Sequence, residues 1–262
     1  MNKCIFFLFM NISLLFTSCI STQDLTYLQK KEGAVAESVI SEVAFKPYRL
    51  QTNDIVSIHI KAIDPKLVSM FSTANEGTLG RTASSLYFDG FTVDDHGNIR
   101  IPVLGEMNVM GYTLDEIRLK IEDQLLAEYF KKEANIFVTV KLAGFRYTIN
   151  GEVGSTGTKT LFQDKVTIME AIANSGDITL TGNRKAVTIL RQTATGSQMH
   201  DLDLTDINVM QSPYYYLQPN DYIYVKPLKQ KTWGTGKTLL ESFSTFVTLL
   251  SFATTTFFLL KK

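Results

Sequence analysis

Few residues in this chain could do chemistry, and their spacing removes most of them. Gly234-Thr235-Gly236-Lys237-Thr238 has the ending of a phosphate-binding loop. Such a loop curls successive amides around phosphate and needs the opening glycine of the pattern G-x-x-x-x-G-K-[ST]. Lys231 stands at that position, so nucleotide hydrolysis is not expected. Asp94 and Asp95 offer paired carboxylates for glycoside chemistry, but adjacent residues in a hairpin point apart, and turn formation explains both. His59, His96 and His200 are scattered, with no HExxH-like pair, so no metal site is expected. Tyr214-Tyr215-Tyr216 offers rings that stack on sugars or pack between subunits. The chain reads as a non-enzyme with no cofactor.

The cysteines carry a different chemistry. There are two, Cys4 and Cys19. Met1-Asn2-Lys3 is a short basic start, and Ile5 to Phe16 is an apolar run too short to span a bilayer. Residues 1–18 have the layout of a secretory signal peptide. Phe16-Thr17-Ser18-Cys19 resembles a bacterial lipobox, with Phe where Leu is usual. That resemblance implies cleavage before Cys19 and acylation of its thiol, palmitate being one such acyl chain. Cys4 would leave with the signal peptide. The mature chain then has no free thiol and no disulfide, despite an oxidising location. Residues 19–46 are polar and weakly patterned, an extended tether leading away from the lipid.

The other end is amphipathic. From Thr238 to Leu260, at 100° per residue, Leu239, Leu240, Phe243, Phe246, Val247, Leu250, Ala253, Phe257 and Phe258 fall on one side. Glu241, Ser244, Thr245, Thr248, Ser251 and Thr255 fall on the other, with Phe252, Leu259 and Thr254 out of place. The segment is roughly 35 Å long as a helix, against a hydrocarbon core of ~30 Å. Hydroxyls lining water and Leu and Phe facing lipid would make it a stave of a pore. The competing reading is a plain anchor whose hydroxyls bond back to its own carbonyls. Lipid on Cys19 would make a mere anchor redundant. Lys229, Lys231 and Lys237 form a basic collar at the bilayer surface, so residues 229–262 read as collar and transmembrane helix.

Between these ends lie elements that would position any site. Lysine plus arginine equals aspartate plus glutamate, 26 each, so no nucleic-acid footprint appears. A first domain over 47–144 contains a strand from Ile55 to Lys61 and a hairpin of Phe91–Val93 with Ile99–Ile101. Thr113-Leu114-Asp115-Glu116 is a capping box for a helix with Leu114, Ile117, Ile121 and Leu125 on one face. A strand from Asn135 to Leu142 follows. A second domain over 145–228 has a strand at Tyr147–Val153 and a capping box at Thr167-Ile168-Met169-Glu170. Its later strands are at Ala186–Leu190 and Tyr222–Val225. The fold class is α+β. Leu50-Gln51-Thr52-Asn53-Asp54 and Leu217-Gln218-Pro219-Asn220-Asp221 echo each other ahead of strands, a shared turn solution.

These residues resemble the bacterial outer-membrane polysaccharide export lipoproteins of the Wza type. The first-domain pattern Tyr-x-Leu-x-x-Gly-Asp is met by Tyr48 to Asp54, with Asn53 replacing Gly. Val93 to Gly105 and then Gly111-Tyr112-Thr113 match the next block. The second domain is similar to the family's soluble-ligand-binding β-grasp (SLBB) domain, through Asn150-Gly151-Glu152-Val153, Ala171 to Asp177, and Leu217 to Val225. Longer relatives carry two such domains; this chain has one, so a shorter ring stack is expected. The resemblance implies a homo-oligomeric translocon for capsular or extracellular polysaccharide, lipid-anchored in the outer membrane, with periplasmic rings and an α-helical barrel. Were eight subunits to close, helices ~10 Å apart would leave a lumen about 8 Å in radius. It also implies an inner-membrane chain-length regulator, often a tyrosine autokinase. The alternative is a periplasmic glycan-binding lipoprotein whose last helix only anchors it.

Overall fold

In the computed structural model, residues 21–30, 43–63, 65–71, 87–131, 134–193, 196–229 and 239–260 are described. The signal segment with Cys19, and Gly234 to Lys237, lie outside them. The elements run α1 (Thr22–Leu25), β1 (Ile55–Lys61), α2 (Pro65–Val68), β2 (Phe91–Thr92), β3 (Asn98–Ile101), β4 (Gly105–Asn108), α3 (Leu114–Glu128) and β5 (Phe137–Leu142). The second domain carries β6 (Phe145–Gly151), β7 (Gly157–Leu161), α4 (Ile168–Asn174), β8 (Gly182–Thr193), β9 (Gly196–Leu202) and β10 (Tyr222–Pro227). A last helix, α5, covers Leu239–Leu260.

Both capping boxes form. Thr113 N donates to Glu116 Oε2 (2.7 Å) and Glu116 N to Thr113 Oγ1 (3.3 Å). Thr167 and Glu170 repeat the pair at 2.7 and 3.2 Å. Each satisfies two amides that a helix start leaves orphaned. The period of α3 then buries Ile117, Ile121 and Leu125 completely, each contributing about 1.5–3 kcal/mol. They pack on a three-stranded antiparallel sheet of order β2-β1-β5.

One hairpin differs from expectation. Phe91–Thr92 pairs with β1, whereas Asn98–Ile101 pairs with Gly105–Asn108. Positive φ at Val103 (69°) and Gly105 (78°) lets the chain reverse there. The loop at 94–98 is closed by Asp94, whose Oδ1 accepts from the amides of His96 and Asn98.

The second domain is a five-stranded mixed sheet of order β7-β6-β10-β8-β9. β10 runs parallel to β6 and antiparallel to β8. Gly151 lies where a Cβ would meet the carbonyl of Val225 at 2.1 Å, so only glycine admits β10 at this point. The helix α4 covers the sheet with Ile168, Ala171 and Ile172 and stops at Ser175-Gly176, Gly176 taking φ 79°. β7 and β9 have no counterpart in the sequence reading, and β8 is longer at both ends than Ala186–Leu190. β9 is exposed at Gly196–Asp201, so no core-facing alternation marks it.

The segment after Cys19 is not a free extended lead. Leu28 N donates to Leu204 O (3.1 Å), Gln29 N to Thr205 O (2.7 Å) and Val43 N to Met210 O (3.1 Å). Its described residues Leu28, Gln29 and Val43 are thus held by the second domain.

Candidate functional site

The echoed pentapeptides build the junction between the domains. In the first turn Asp54 N donates to Gln51 O (3.3 Å), Asn53 adopts φ 68°, and Asp54 Oδ2 accepts from Gln51 N (2.8 Å). In the second Asp221 N donates to Gln218 O (3.1 Å), Asn220 adopts φ 68°, and Asp221 Oδ2 accepts from Gln218 N (2.7 Å). Asparagine tolerates this left-handed backbone where most side chains strain, which is how Asn53 replaces the family's glycine. The neighbours continue the likeness. Asn53 N and Asp54 O bond to Val93, and Asn220 N and Asp221 O bond to Arg146 and Thr148.

The two turns face each other, with Asn220 Nδ2 donating to Asp54 Oδ1 at 3.4 Å. Both aspartates are buried, at 4% and 1% exposure. Asp221 is clamped by Arg191, Nε to Oδ1 at 2.9 Å and Nη2 to Oδ2 at 2.7 Å, and Arg191 also donates to Tyr216 O (3.1 Å). Among the described residues Asp54 has no such cation in contact; it accepts from the Tyr48 hydroxyl (2.8 Å). Burial pushes the Asp54 carboxyl above the usual carboxylate range, against the Gln51 amide, Tyr48 and Asn220. Burial likewise raises Asp221, against Arg191. Burial, reinforced by the carboxylates of Asp54 and Asp221, holds the Tyr48 phenol protonated.

Three clefts open along this junction. One of about 370 Å³ is lined by Asn53, Arg146, Thr158, Thr160 and Asn220. A second, of about 350 Å³, has Phe45, Lys46, Asp164, Gln198, Tyr214 and Tyr216 in its wall. The third, of about 820 Å³, lies between Arg49, Glu116, Lys141, Phe162 and Asp164. Lys141 and Asp164 pair across the domains at 2.6 Å, both well exposed. These walls hold hydroxyls, amides and charges that can hydrogen-bond to a polar ligand.

The tyrosine triplet divides. Tyr215 is buried in the core. Tyr214 stacks on His200 (4.6 Å, 12°) and donates to Gln198 Oε1 (3.0 Å), with the Arg191 guanidinium 4.8 Å from its centroid. Tyr216 meets the edge of Phe45 at 5.3 Å. Their rings are thus committed largely to intramolecular contacts. His59 lies 3.0 Å from Ser57 Oγ, and Asp94 serves its turn. Among the described residues no group of three His, Cys, Asp or Glu side chains could hold a metal ion.

In α5, side chains are described for 244–254. Thr248 Oγ1 donates to Ser244 O (2.7 Å) and Ser251 Oγ to Thr248 O (2.9 Å); Thr254 Oγ1 bonds both Leu250 O and Ser251 O (2.9 Å). These hydroxyls donate to their own helix, while their lone pairs still face outward. Leu249 and Phe252 are 64% and 72% exposed, whereas Phe246 is half-buried. Among the described residues no helix is long and apolar enough to cross a membrane. In α5, hydroxyl residues interleave with Leu and Phe, and Glu241 lies in the first turn. The side chains of Leu239, Glu241, Phe243, Thr255 and Phe257 lie outside the described residues.

Sequence reasoning found both turns but missed their meeting, and it missed Arg191 altogether. The available signal was an arginine directly after the stretch Val187-Thr188-Ile189-Leu190, together with the spacing Tyr48 to Asp54.

Comparison with known proteins agrees with this division. Residues 43–141 match the family described as polysaccharide biosynthesis/export protein, and residues 146–225 match the SLBB domain. The chain is 28% identical over 152 residues to the EPS I polysaccharide export outer membrane protein EpsA of Ralstonia solanacearum, a match covering 55% of this chain and 39% of that one. Its counterpart from Ralstonia nicotianae is 29% identical over 154 residues, with the same coverage. The chain thus spans about two fifths of the length of the curated relatives it matches. A polysaccharide-export domain and an SLBB domain, joined in that order through paired Asn-Asp turns, make this chain a member of the Wza/EpsA-type polysaccharide biosynthesis/export family.

Proposed function

We propose that the chain is an outer-membrane subunit that passes capsular or extracellular polysaccharide. The observation that carries this reading is an export domain followed by an SLBB domain, the two meeting at paired Asn-Asp turns where Asn220 donates to the buried Asp54. Lipid on Cys19 would hold each subunit at the membrane, and copies would close into a homo-oligomeric ring. The α5 helices would line up as staves, Glu241, Ser244, Thr245, Thr248, Ser251 and Thr255 toward water and Leu239, Phe243, Phe246, Leu250 and Phe257 toward lipid. A stave needs only one apolar face, because its neighbours and the lumen cover the rest. Hydroxyl lone pairs would exchange bonds with passing sugars without retaining them. No bond would be made or broken, so the driving energy would come from elsewhere, and the partner in this reading is an inner-membrane chain-length regulator, often a tyrosine autokinase.

The test is replacement of Thr248 and Ser251 by Leu. Under the pore reading, export of cell-surface polysaccharide falls at least tenfold while the protein stays in the membrane. Unchanged export sinks it. The back-bonded hydroxyls of Thr248, Ser251 and Thr254 favour a second reading, a periplasmic glycan-binding lipoprotein with α5 as an anchor only. An epitope after Lys262 labelled from outside intact cells separates the two: surface labelling belongs to the pore.

A further inference from the structure

The strands of the second domain have two ends. At one, beside Asp221 and Arg191, Asn220 meets Asp54 of the first domain. β10 leaves there at Tyr222 and reaches Pro227, roughly 17 Å on at ~3.3 Å per residue. Pro227 sits opposite Gly182, and Leu228 N donates to Thr181 O at 2.7 Å. The chain continues from that point toward α5.

The segment following Cys19 arrives at the same far end. Asp24 Oδ1 lies 2.5 Å from Lys185 Nζ. The Arg184 guanidinium lies 5.2 Å from the Tyr27 ring centroid, and the Tyr27 hydroxyl donates to Asp177. Both segments that lead to the chain's membrane-directed ends therefore converge on residues 177–185.

Leu180 crowns this end and is 63% exposed. Its loop is pinned. Thr179 and Thr181 hydroxyls donate to Glu152 Oε2 at 3.1 and 2.5 Å. Arg184, itself buried, donates to the carbonyls of Ile178 (2.7 Å) and Thr179 (3.3 Å). A leucine raised on a fixed loop loses little freedom when covered.

We propose that this end of the second domain is a bilayer-contact surface, with Leu180 entering the interface of the phospholipid leaflet that holds the lipid of Cys19. The inference rests on the reading of Cys19 as lipidated and α5 as membrane-inserted. Two attachments at one end press this surface against the leaflet, and the first domain hangs from the opposite end, away from the membrane. Lys229, next after Leu228 in the chain, comes to headgroup height.

The test uses the full-length lipoprotein with Trp233→Phe, which removes its single tryptophan. One version carries Leu180→Trp; the other carries Phe162→Trp, a site 65% exposed at the cleft between the domains. Both are reconstituted into phosphatidylethanolamine/phosphatidylglycerol vesicles containing lipid brominated near the headgroup. An interfacial side chain sits about 5–10 Å into the headgroup boundary, so L180W emission drops roughly twofold and shifts blue, while F162W emission does not change. Protein that floats with the vesicles while L180W stays unquenched overturns the contact surface and leaves the membrane reading standing. Blue-shifted but unquenched emission assigns Leu180 to a neighbouring copy and equally overturns it. Failure to float at all overturns both.

Discussion

Asp54 and Asp221 occupy the same turn, with the same left-handed asparagine before them and the same backbone amide capped, yet their surroundings differ in one respect. Asp221 faces a bidentate guanidinium, whereas Asp54 is held by neutral donors from Tyr48, Gln51 and Asn220. A repeated backbone solution thus serves two ends: in the second domain it ties the turn to its own sheet through Arg191 in β8, and in the first it leaves a carboxylate for the other domain to reach. What differs is the partner, and the partner decides how each turn fails.

The largest expected effect is at Arg191. Arg191→Met leaves Asp221 buried without its cation, which costs about 3–5 kcal/mol. Urea unfolding of the detergent-solubilised protein, followed by tyrosine emission, measures it. Adding Asp221→Asn keeps the cap on the Gln218 amide and removes the stranded charge, so the double variant recovers most of the loss. A cost under about 1 kcal/mol for R191M alone would show that the two turns do not differ in this way.

The next effect is on pH dependence. The Asp54 carboxyl is raised in the folded protein above its unfolded value of about 3.9. In the window between those values the folded state binds more protons than the unfolded one, so stability falls as pH rises through it. Asp54→Asn removes this contribution. An amide in the same shape still accepts from Tyr48 and Gln51, and the variant is the more stable one above the window, by about 1 kcal/mol. R191M acts oppositely: Asp221 loses the partner that draws its carboxyl down, and the fall of stability with pH steepens. Unfolding midpoints between acidic and neutral pH distinguish these outcomes; a D54N profile parallel to that of the parent protein would contradict the assignment.

Asn220→Gly keeps the positive φ and removes the amide that reaches Asp54. The bond is a single one at 3.4 Å, so its loss costs roughly 0.5–1 kcal/mol. The readout is hydrogen exchange at Asn53 and Asp54 in one domain following a change made in the other. Exchange there speeds up about two- to fivefold; no change would mean that the turns meet without holding each other.

Much of this was legible in the residues. Thr113/Glu116 and Thr167/Glu170 announce their helices because a capping box is local chemistry, and Ile117, Ile121 and Leu125 state their buried face by period alone. The β1 and β10 strands follow the same logic. The pairing of Phe91–Thr92 with β1 rather than with Ile99–Ile101 was not legible, since a strand's partner is chosen by tertiary contact. Nor was β9, whose residues Gly196–Asp201 are exposed and carry no alternation. The junction stood half in view: the echoed pentapeptides show a shared turn, but only long-range packing brings Asn220 to Asp54 and Arg191 to Asp221. The hydroxyls of α5 show the limit from the other side. Their spacing reads equally as a wet face or as back-bonding, and Thr248 and Ser251 do bond back while remaining exposed.

The smallest effect falls at Asn53, and it sharpens the contrast most. Asn53 and Asn220 share φ 68° and both are exposed, but Asn220 also bonds across the junction to Asp54. Asn53→Gly therefore changes stability by only a few tenths of a kcal/mol, the backbone freedom of glycine in the unfolded chain being offset by its ease at positive φ. Asn53→Ala has no such ease and costs about 1–2 kcal/mol. If N53G matched N220G in the hydrogen-exchange assay, Asn220 would be a turn former like its twin. If only N220G loosens the other domain, backbone conformation accounts for both asparagines, and the cross-domain bond accounts for one.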